Sequence, residues 1–521
     1  MQRALPDAIV YKLSPDTHMA AWVGRHGNIA RGPHLTAQSA TLILFGATGD
    51  LARRMLFPSL FNLMSDGLLP DDFLIIASGR SAMSDHAFHA DVTAALRTFL
   101  GDGFDEAACA AFLGRISYLP AQAGNADQFA AIAARAKGRE ERGIAIYLST
   151  PPALFAPTAV ALAQAGLVSP TTRIAMEKPI GHDLASSREV NDAIGALFAE
   201  ERIFRVDHYL GKETVQNLIA LRFGNMLFEP LWNANAIDHV QITVAETVGL
   251  EGRITYYDHV GALRDMVQNH ILQILSIIAM EPPARMDATA VRDEKVKVLR
   301  SLRPLDGDTV KSQSVRGQYG PGAVQGQIVN GYAEELGQAS DTETFVALKV
   351  HIDNWRWSGV PFYLRTGKRL PDRQSEIIIQ FKPVAHSIFS GQGQSSDLEA
   401  NTLIIRLQPE ENIRLLIMAK QPGLDRDGVK LQEVGLDVSL AHAFAGERRR
   451  IAYERLLLDL LEGDPTLFVR RDEVEAQWEW VDSIIAGWAA AGMKPAPYAA
   501  GNWGPSSSIA LIERDGASWH E

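Results

Sequence analysis

Arg205-Val206-Asp207-His208-Tyr209-Leu210-Gly211-Lys212-Glu213 packs into nine residues the side chains needed to bind an anion and to move a proton. Residues 202–206 read as a short strand and residues 212–225 as a helix, so the cluster lies where a strand enters a helix. Unpaired N–H groups at such a helix start favour anions. His208 and Lys212 are four apart, which places them on one helix face, with Tyr209 beside them as a hydroxyl donor. The chemistry implied is recognition of a small charged substrate; the bland alternative is a helix cap with solvated ion pairs.

A second candidate base is His270, within Arg264-Asp265-Met266-Val267-Gln268-Asn269-His270-Ile271-Leu272-Gln273. Residues 263–280 read as a helix that is apolar almost all round and therefore buried. An imidazole there is either a satisfied core residue or a general base, the role suited to a group that titrates nearest neutral pH. Lys178, in Glu177-Lys178-Pro179, closes an apolar strand and points into the crevice where ligands of parallel sheets bind. Pro179 locks that turn, with a cis peptide as one option.

Gly46-Ala47-Thr48-Gly49-Asp50-Leu51-Ala52 directly follows the apolar run Thr41-Leu42-Ile43-Leu44-Phe45. Gly46 and Gly49 permit a tight turn whose N–H groups approach a pyrophosphate, and Ala52 permits close helix packing; this is a dinucleotide-binding loop of the form G-x-x-G-x-x-A. NAD-binding domains usually carry a carboxylate after the second strand. This chain reads Ala77-Ser78-Gly79-Arg80-Ser81 instead, so Arg80 is expected to clamp a 2′-phosphate, with Arg53 as a second contact and NADP preferred over NAD.

The elements that must position these groups follow from periodicity. Strands at 41–45, 73–77, 144–149 and 173–176 alternate with helices ending at Met64 and spanning 85–100 and 154–166, the pattern of a doubly wound parallel sheet. Beyond residue 206, segments 237–246, 345–352, 376–382, 402–408 and 412–420 alternate apolar with polar residues, predicting a large, mostly antiparallel sheet covered by helices. The fold class is thus α/β plus α+β. Residues 1–40 read as a loosely ordered extension, 41–206 as the Rossmann-type NADP domain and 207–521 as the substrate-binding and oligomerisation domain.

At 521 residues the chain exceeds what one core usually supports. A net charge of −12 without a long basic run argues against nucleic acid as a partner. The single cysteine, Cys109, can form no internal disulfide, which fits a reducing, cytoplasmic setting, and no apolar stretch is long enough to span a membrane.

The string RVDHYLGKE resembles the substrate-binding signature of glucose-6-phosphate dehydrogenases, and RDMVQNHILQ is similar to the segment carrying their general base. Gly249-Leu250-Glu251-Gly252-Arg253, residues 291–299 and Val360-Pro361-Phe362-Tyr363-Leu364-Arg365-Thr366-Gly367-Lys368 extend the resemblance over nearly all of the chain after residue 41. It implies oxidation of β-D-glucose 6-phosphate to 6-phospho-D-glucono-1,5-lactone with NADP, the first step of the pentose phosphate pathway. His270 then takes the proton and Asp207 orients it, as in any carboxylate–imidazole dyad. His208, Tyr209 and Lys212 hold the phosphate, Lys178 meets sugar and nicotinamide, Glu246 and Asp265 accept from sugar hydroxyls, and Lys368 and Arg373 add charge.

No metal is required by this chemistry, and no closed metal site is legible. The resemblance also implies a homodimer or homotetramer. Animal members carry a second, structural NADP; here Arg406 matches one of its positions, but Gln374 and Leu415 stand where a lysine and a tyrosine are expected, so that site is doubtful. Two other readings stay open: a different NAD(P)-dependent sugar oxidoreductase, which Glu177-Lys178-Pro179 alone would permit, and a non-catalytic NADP sensor, against which the pair Asp207 and His270 argues.

Overall fold

A computed structural model describes residues 38–250, 254–389, 398–423 and 429–521. Residues 1–37 of the expected extension, and Glu251, Gly252 and Arg253 of the matched string, lie outside the described residues. Six strands form the first sheet: β1 (Thr41–Phe45), β2 (Leu74–Ser78), β3 (Ile116–Tyr118), β4 (Ile144–Leu148), β5 (Arg173–Met176) and β6 (Ile203–Arg205). Their order is β3-β2-β1-β4-β5-β6, every neighbour parallel. Every residue of β1, β2, β4 and β5 is buried, which is why these strands read as continuous apolar runs rather than alternating ones. Helix Asp85–Leu100 has the expected bounds because Ser84 caps it, its hydroxyl accepting from the Ala87 N–H at 3.2 Å.

The second sheet has nine strands: β7 (Ile237–Ala245), β8 (Ser314–Gly320), β11 (Phe345–His351), β12 (Pro361–Gly367), β13 (Gln374–Phe381), β14 (Thr402–Gln408), β15 (Asn412–Lys420), β16 (Leu431–Ser439) and β17 (Ala496–Ala499). A separate small hairpin comprises β9 (Gly322–Val324) and β10 (Gln327–Val329). The nine run β16-β15-β14-β13-β7-β12-β11-β8-β17. All pairings are antiparallel except β7 with β12 and β8 with β17, which are parallel. Each parallel pair joins strands far apart in sequence, where a long crossover replaces a hairpin.

The two sheets share one apolar core, in which Ile43, Phe57, Ile277, Leu364, Leu457, Phe468 and Ile484 all take part. Late helices Ala452–Glu462 and Arg471–Ala490 return to pack against helices flanking the first sheet. Asn62 donates to Glu454 at 2.9 Å, Trp478 Nε1 to the Ile180 carbonyl at 2.9 Å, and the Val469 N–H to the Arg205 carbonyl at 3.0 Å.

The expected continuous helix over 263–280 is divided. Leu263–Ile271 winds as a π-helix and Leu272–Ala279 continues as a fully buried α-helix. No helix among the described residues is long and apolar enough to cross a membrane.

Candidate functional site

The cluster after β6 does not sit on a helical face as its spacing predicts. Asp207 opens a tight turn: its Oδ1 accepts from the Tyr209 N–H at 2.9 Å and its carbonyl from the Leu210 N–H at 3.0 Å. Such side-chain turns compete with helix. The helix therefore begins at Glu213, with Lys212 at the extended N-cap position. Gly211 is packed so closely on the late helix that a Cβ there would lie 2.7 Å from the Ala452 carbonyl oxygen. His208, Tyr209 and Lys212 converge nonetheless, through the turn rather than a helix face, on one cavity of about 650 Å³. Lys212 Nζ lies 3.4 Å from the centre of the Tyr209 ring. Arg205 is not available to a ligand, since it is 1% exposed and bonded to Asn191 at 2.8 Å and Glu200 at 2.6 Å.

The π-helix brings the second half of the site to the same cavity. At 3.6 residues per turn, side chains five apart on an α-helix point roughly 140° away from each other. The i→i+5 winding instead lets Asp265 and His270 both line the cavity. His270 Nδ1 and Asp207 Oδ1 are 2.6 Å apart, with side chains 1% and 0% exposed. That bond leaves Nε2 as the nitrogen available for chemistry. Asp207 Oδ2 is buried without a partner. The rings of His208 and Tyr209 pack against His270 at 4.6 and 4.4 Å.

Electrostatics divides the roles. Burial would raise the Asp207 carboxyl, but the charge and hydrogen bond of His270 hold it well below the usual carboxylate range. Burial pushes His270 down, against the opposing pull of Asp207, which favours the proton-accepting form of the imidazole. His208 is pushed further down by burial and by the His270 charge. Lys212 is pushed down to about 7 by burial, despite Asp207. Asp207, His208 and His270 also place ligand-type atoms within 4.8 Å of one another.

Two ion pairs complete the lining. Lys178 Nζ donates to both the carbonyl and Oδ1 of Asp265, each at 3.1 Å, from a Lys178-Pro179 peptide that is cis. Lys368 Nζ meets Glu246 Oε2 at 2.8 Å, where β7 and β12 end side by side. Burial would raise the Asp265 carboxyl, but Lys178 and Lys368 hold it well below its ordinary value. Arg373 lines the same cavity. So do Tyr257, Ser375, Arg449 and Tyr453, which sequence reasoning missed: none sits in a local pattern, and two come from the returning late segment.

At the same carboxyl ends of the first sheet's strands, Gly46 has φ +79°, and a Cβ there would lie 2.1 Å from the Ser149 carbonyl oxygen. Only glycine fits this turn. The Gly49 N–H bonds the Gly46 carbonyl at 2.9 Å, Asp50 and Leu51 open the following helix, and Ala52 is fully buried. The turn lies where strand order reverses between β1 and β4, the ligand-binding position of such sheets. Thr48 abuts Gly79, a built Cβ of which would be 3.1 Å from Thr48 Oγ1, so the turn adjoins exposed Arg80. Ser78 Oγ, at the end of β2, and Thr150 Oγ1, just after β4, are buried without partners. A tight glycine turn, orphaned hydroxyls and an arginine in place of an acid suit a phosphorylated dinucleotide. Arg53, the expected second contact, pairs with Asp91 at 2.9 Å.

Where a second nucleotide was doubtful, Arg406 pairs with Glu376 at 3.0 Å, and Glu376 with His520 at 2.7 Å. Gln374 Nε2 is buried without a partner, and Leu415 is half-buried.

Residues 43–217 match the family model for the glucose-6-phosphate dehydrogenase NAD binding domain, and residues 219–520 that for its C-terminal domain. Glucose-6-phosphate 1-dehydrogenase of Zymomonas mobilis is 58% identical over 94% of this chain and 100% of its own length. The Rhizobium meliloti enzyme is 52% identical over 92% and 97%. A solved glucose-6-phosphate dehydrogenase in complex with its substrate glucose-6-phosphate superposes with a TM-score of 0.85 at 33% identity, covering 94% of this chain and 100% of that one.

Proposed function

The chain belongs to the glucose-6-phosphate dehydrogenase family, and on that premise we propose that the cavity around His270 is where it oxidises β-D-glucose 6-phosphate to 6-phospho-D-glucono-1,5-lactone. NADP, when bound, supplies the hydride acceptor. The observation that carries the reading is a buried carboxylate–imidazole pair at 2.6 Å facing a cavity lined by Lys178, Lys212, Lys368 and Arg373.

His270 Nε2 takes the proton of the anomeric hydroxyl as hydride leaves the same carbon. Asp207 fixes the imidazole through Nδ1 and stabilises the imidazolium that forms. His208, Tyr209, Lys212 and Arg373 take the phosphate end, while Lys178, Glu246, Asp265 and Lys368 take the sugar hydroxyls. Because Lys178–Asp265 and Lys368–Glu246 are already paired, the lining is held in place before substrate arrives. Gly46, Thr48, Gly49, Asp50 and Leu51 would cradle the pyrophosphate and Arg80 the 2′-phosphate, with Lys178 reaching the nicotinamide side.

The division at 206/207 separates nucleotide and substrate functions on this reading. A homo-oligomer is part of it too: β16 exposes Val434, Leu436 and Val438 at alternate positions along an edge strand, an apolar stripe suited to a partner subunit. Light scattering would return at least a dimer's mass.

Initial rates of NADPH formation test the function. Wild type should act on glucose 6-phosphate and far less on free glucose, and His270→Asn should lose about 10²–10⁴-fold with little change in KM. Near-normal turnover in the variant would return His270 to the core.

A further inference from the structure

The catalytic π-helix begins at Leu263, and the buried Ala262 and Leu263 at its entry need acceptors for their unpaired N–H groups. The acceptor is Glu343, two residues before β11, far away in sequence and 6% exposed. Its carbonyl accepts from the Ala262 N–H at 2.9 Å and its Oε1 from the Leu263 N–H at 3.2 Å. Gly261, at φ +71°, leaves room for it: a Cβ there would lie 2.4 Å from Glu343 Oε1. Oε2 is held by Arg316 at 3.0 Å, and Arg316 is in turn fixed over the Trp488 ring at 4.8 Å and by the Met493 carbonyl at 3.1 Å. The next residue, Thr344, accepts from the Lys368 N–H at 2.9 Å. One short segment therefore anchors both the turn that carries Asp265 and the backbone of Lys368.

We propose that Glu343 is a positioning residue for the sugar site: by capping the π-helix from outside it, Glu343 sets where Asp265 stands against Lys178, and Arg316 holds Glu343 in that place. Glu343 lines a separate cavity of about 290 Å³ with Arg316 and Trp488, and it is absent from the lining of the cavity around His270. Its effect must pass through Leu263 and Asp265. The proposal rests on the assignment of the sugar to Asp265, Lys178 and Lys368.

Steady-state kinetics with glucose 6-phosphate and NADP, beside thermal melts, test it on Glu343→Ala, Glu343→Gln, Arg316→Gln and Asp265→Asn. Misplacement of reacting groups by about 1 Å can cost on the order of 10²-fold. Glu343→Ala is expected to lower kcat at least about tenfold while KM for NADP changes less than about twofold. Glu343→Gln keeps an oxygen for the Leu263 N–H and should recover activity to within about threefold. Arg316→Gln should lower kcat by a smaller factor, and the double variant Arg316→Gln/Glu343→Ala should be no worse than Glu343→Ala alone.

Equal losses in the alanine and glutamine variants would overturn the proposal, as would a normal kcat in Glu343→Ala. If Glu343→Ala does not fold, Glu343→Gln and Arg316→Gln decide, and wild-type kcat in Arg316→Gln refutes the support role. Asp265→Asn separates the two levels: normal activity there removes the sugar-site assignment itself, whereas its loss beside a normal Glu343→Ala removes only the positioning role.

Discussion

Asp207→Asn is the perturbation that most directly tests how the site works. The asparagine can keep a hydrogen bond to His270 Nδ1, which is 2.6 Å from Asp207 Oδ1, but it cannot offset the charge that His270 gains with the substrate's proton. Two unit charges about 4 Å apart at an effective dielectric of about 20 attract by about 4 kcal/mol. Losing that in the transition state slows the chemical step by about 10³-fold. Both side chains are essentially unexposed, so water cannot make up the difference.

The pH profile supplies a second sign. Burial lowers His270 and Asp207 opposes it, so removing the carboxylate lowers the imidazole further and moves the acid limb of kcat/KM to lower pH. The assay is initial-rate NADPH absorbance from pH 5 to 9, with substrate KM and a thermal melt as controls. A variant within about tenfold of wild type, or an acid limb displaced upward, would refute the ion-pair account.

Three further outcomes follow from other parts of the molecule. Lys212, lowered to about 7, is largely neutral in the free protein at pH 8 and is recharged by a phosphate dianion, so calorimetry in buffers of different ionisation enthalpy should show proton uptake on glucose 6-phosphate binding at pH 8 and little at pH 6. Arg80→Ala should raise KM for NADP about tenfold or more and leave KM for NAD nearly unchanged, since only the 2′-phosphate is lost; parallel rises would remove the arginine from that role. Lys295 and Glu473 form a pair at 2.8 Å with side chains 2% and 0% exposed, so Lys295→Met strands a buried carboxylate and should cost about 3–5 kcal/mol in urea unfolding, against near zero if the pair is dispensable.

Much of the scaffold was legible because it is governed by neighbours in sequence. β1 reads from its run of apolar residues, and the bounds of β14 and β15 follow their alternation. Gly46 is legible because a tight turn before a helix needs a residue free of a Cβ, and its φ of +79° bears this out. The π-winding at Leu263–Ile271 was not legible, since nothing in its residues distinguishes it from a buried α-helix; partners as distant as Glu343 and Asp207 hold it. Arg292 and Lys295 are 4% and 1% exposed although their segment is rich in charge, and Glu473, far off in sequence, offers Lys295 a partner that no local pattern reveals.

The sequence alone determined which chemistry is possible: which residues are acids, bases and cations, where glycine must stand, and which face of each strand is apolar. These are properties of side chains and of near neighbours, and they survive without a fold. Tertiary structure decided which of those groups meet and in what charge state. Asp207, His270, Lys178 and Lys368 lie on four separate segments, and only the fold sets Asp207 against His270, which holds the carboxyl well below its usual range while burial lowers the imidazole, and pairs the two lysines with Asp265 and Glu246. Hydrogen bonding and periodicity act over a few residues, whereas desolvation and Coulomb forces act through space, so the first can be read along the chain and the second only once it is folded.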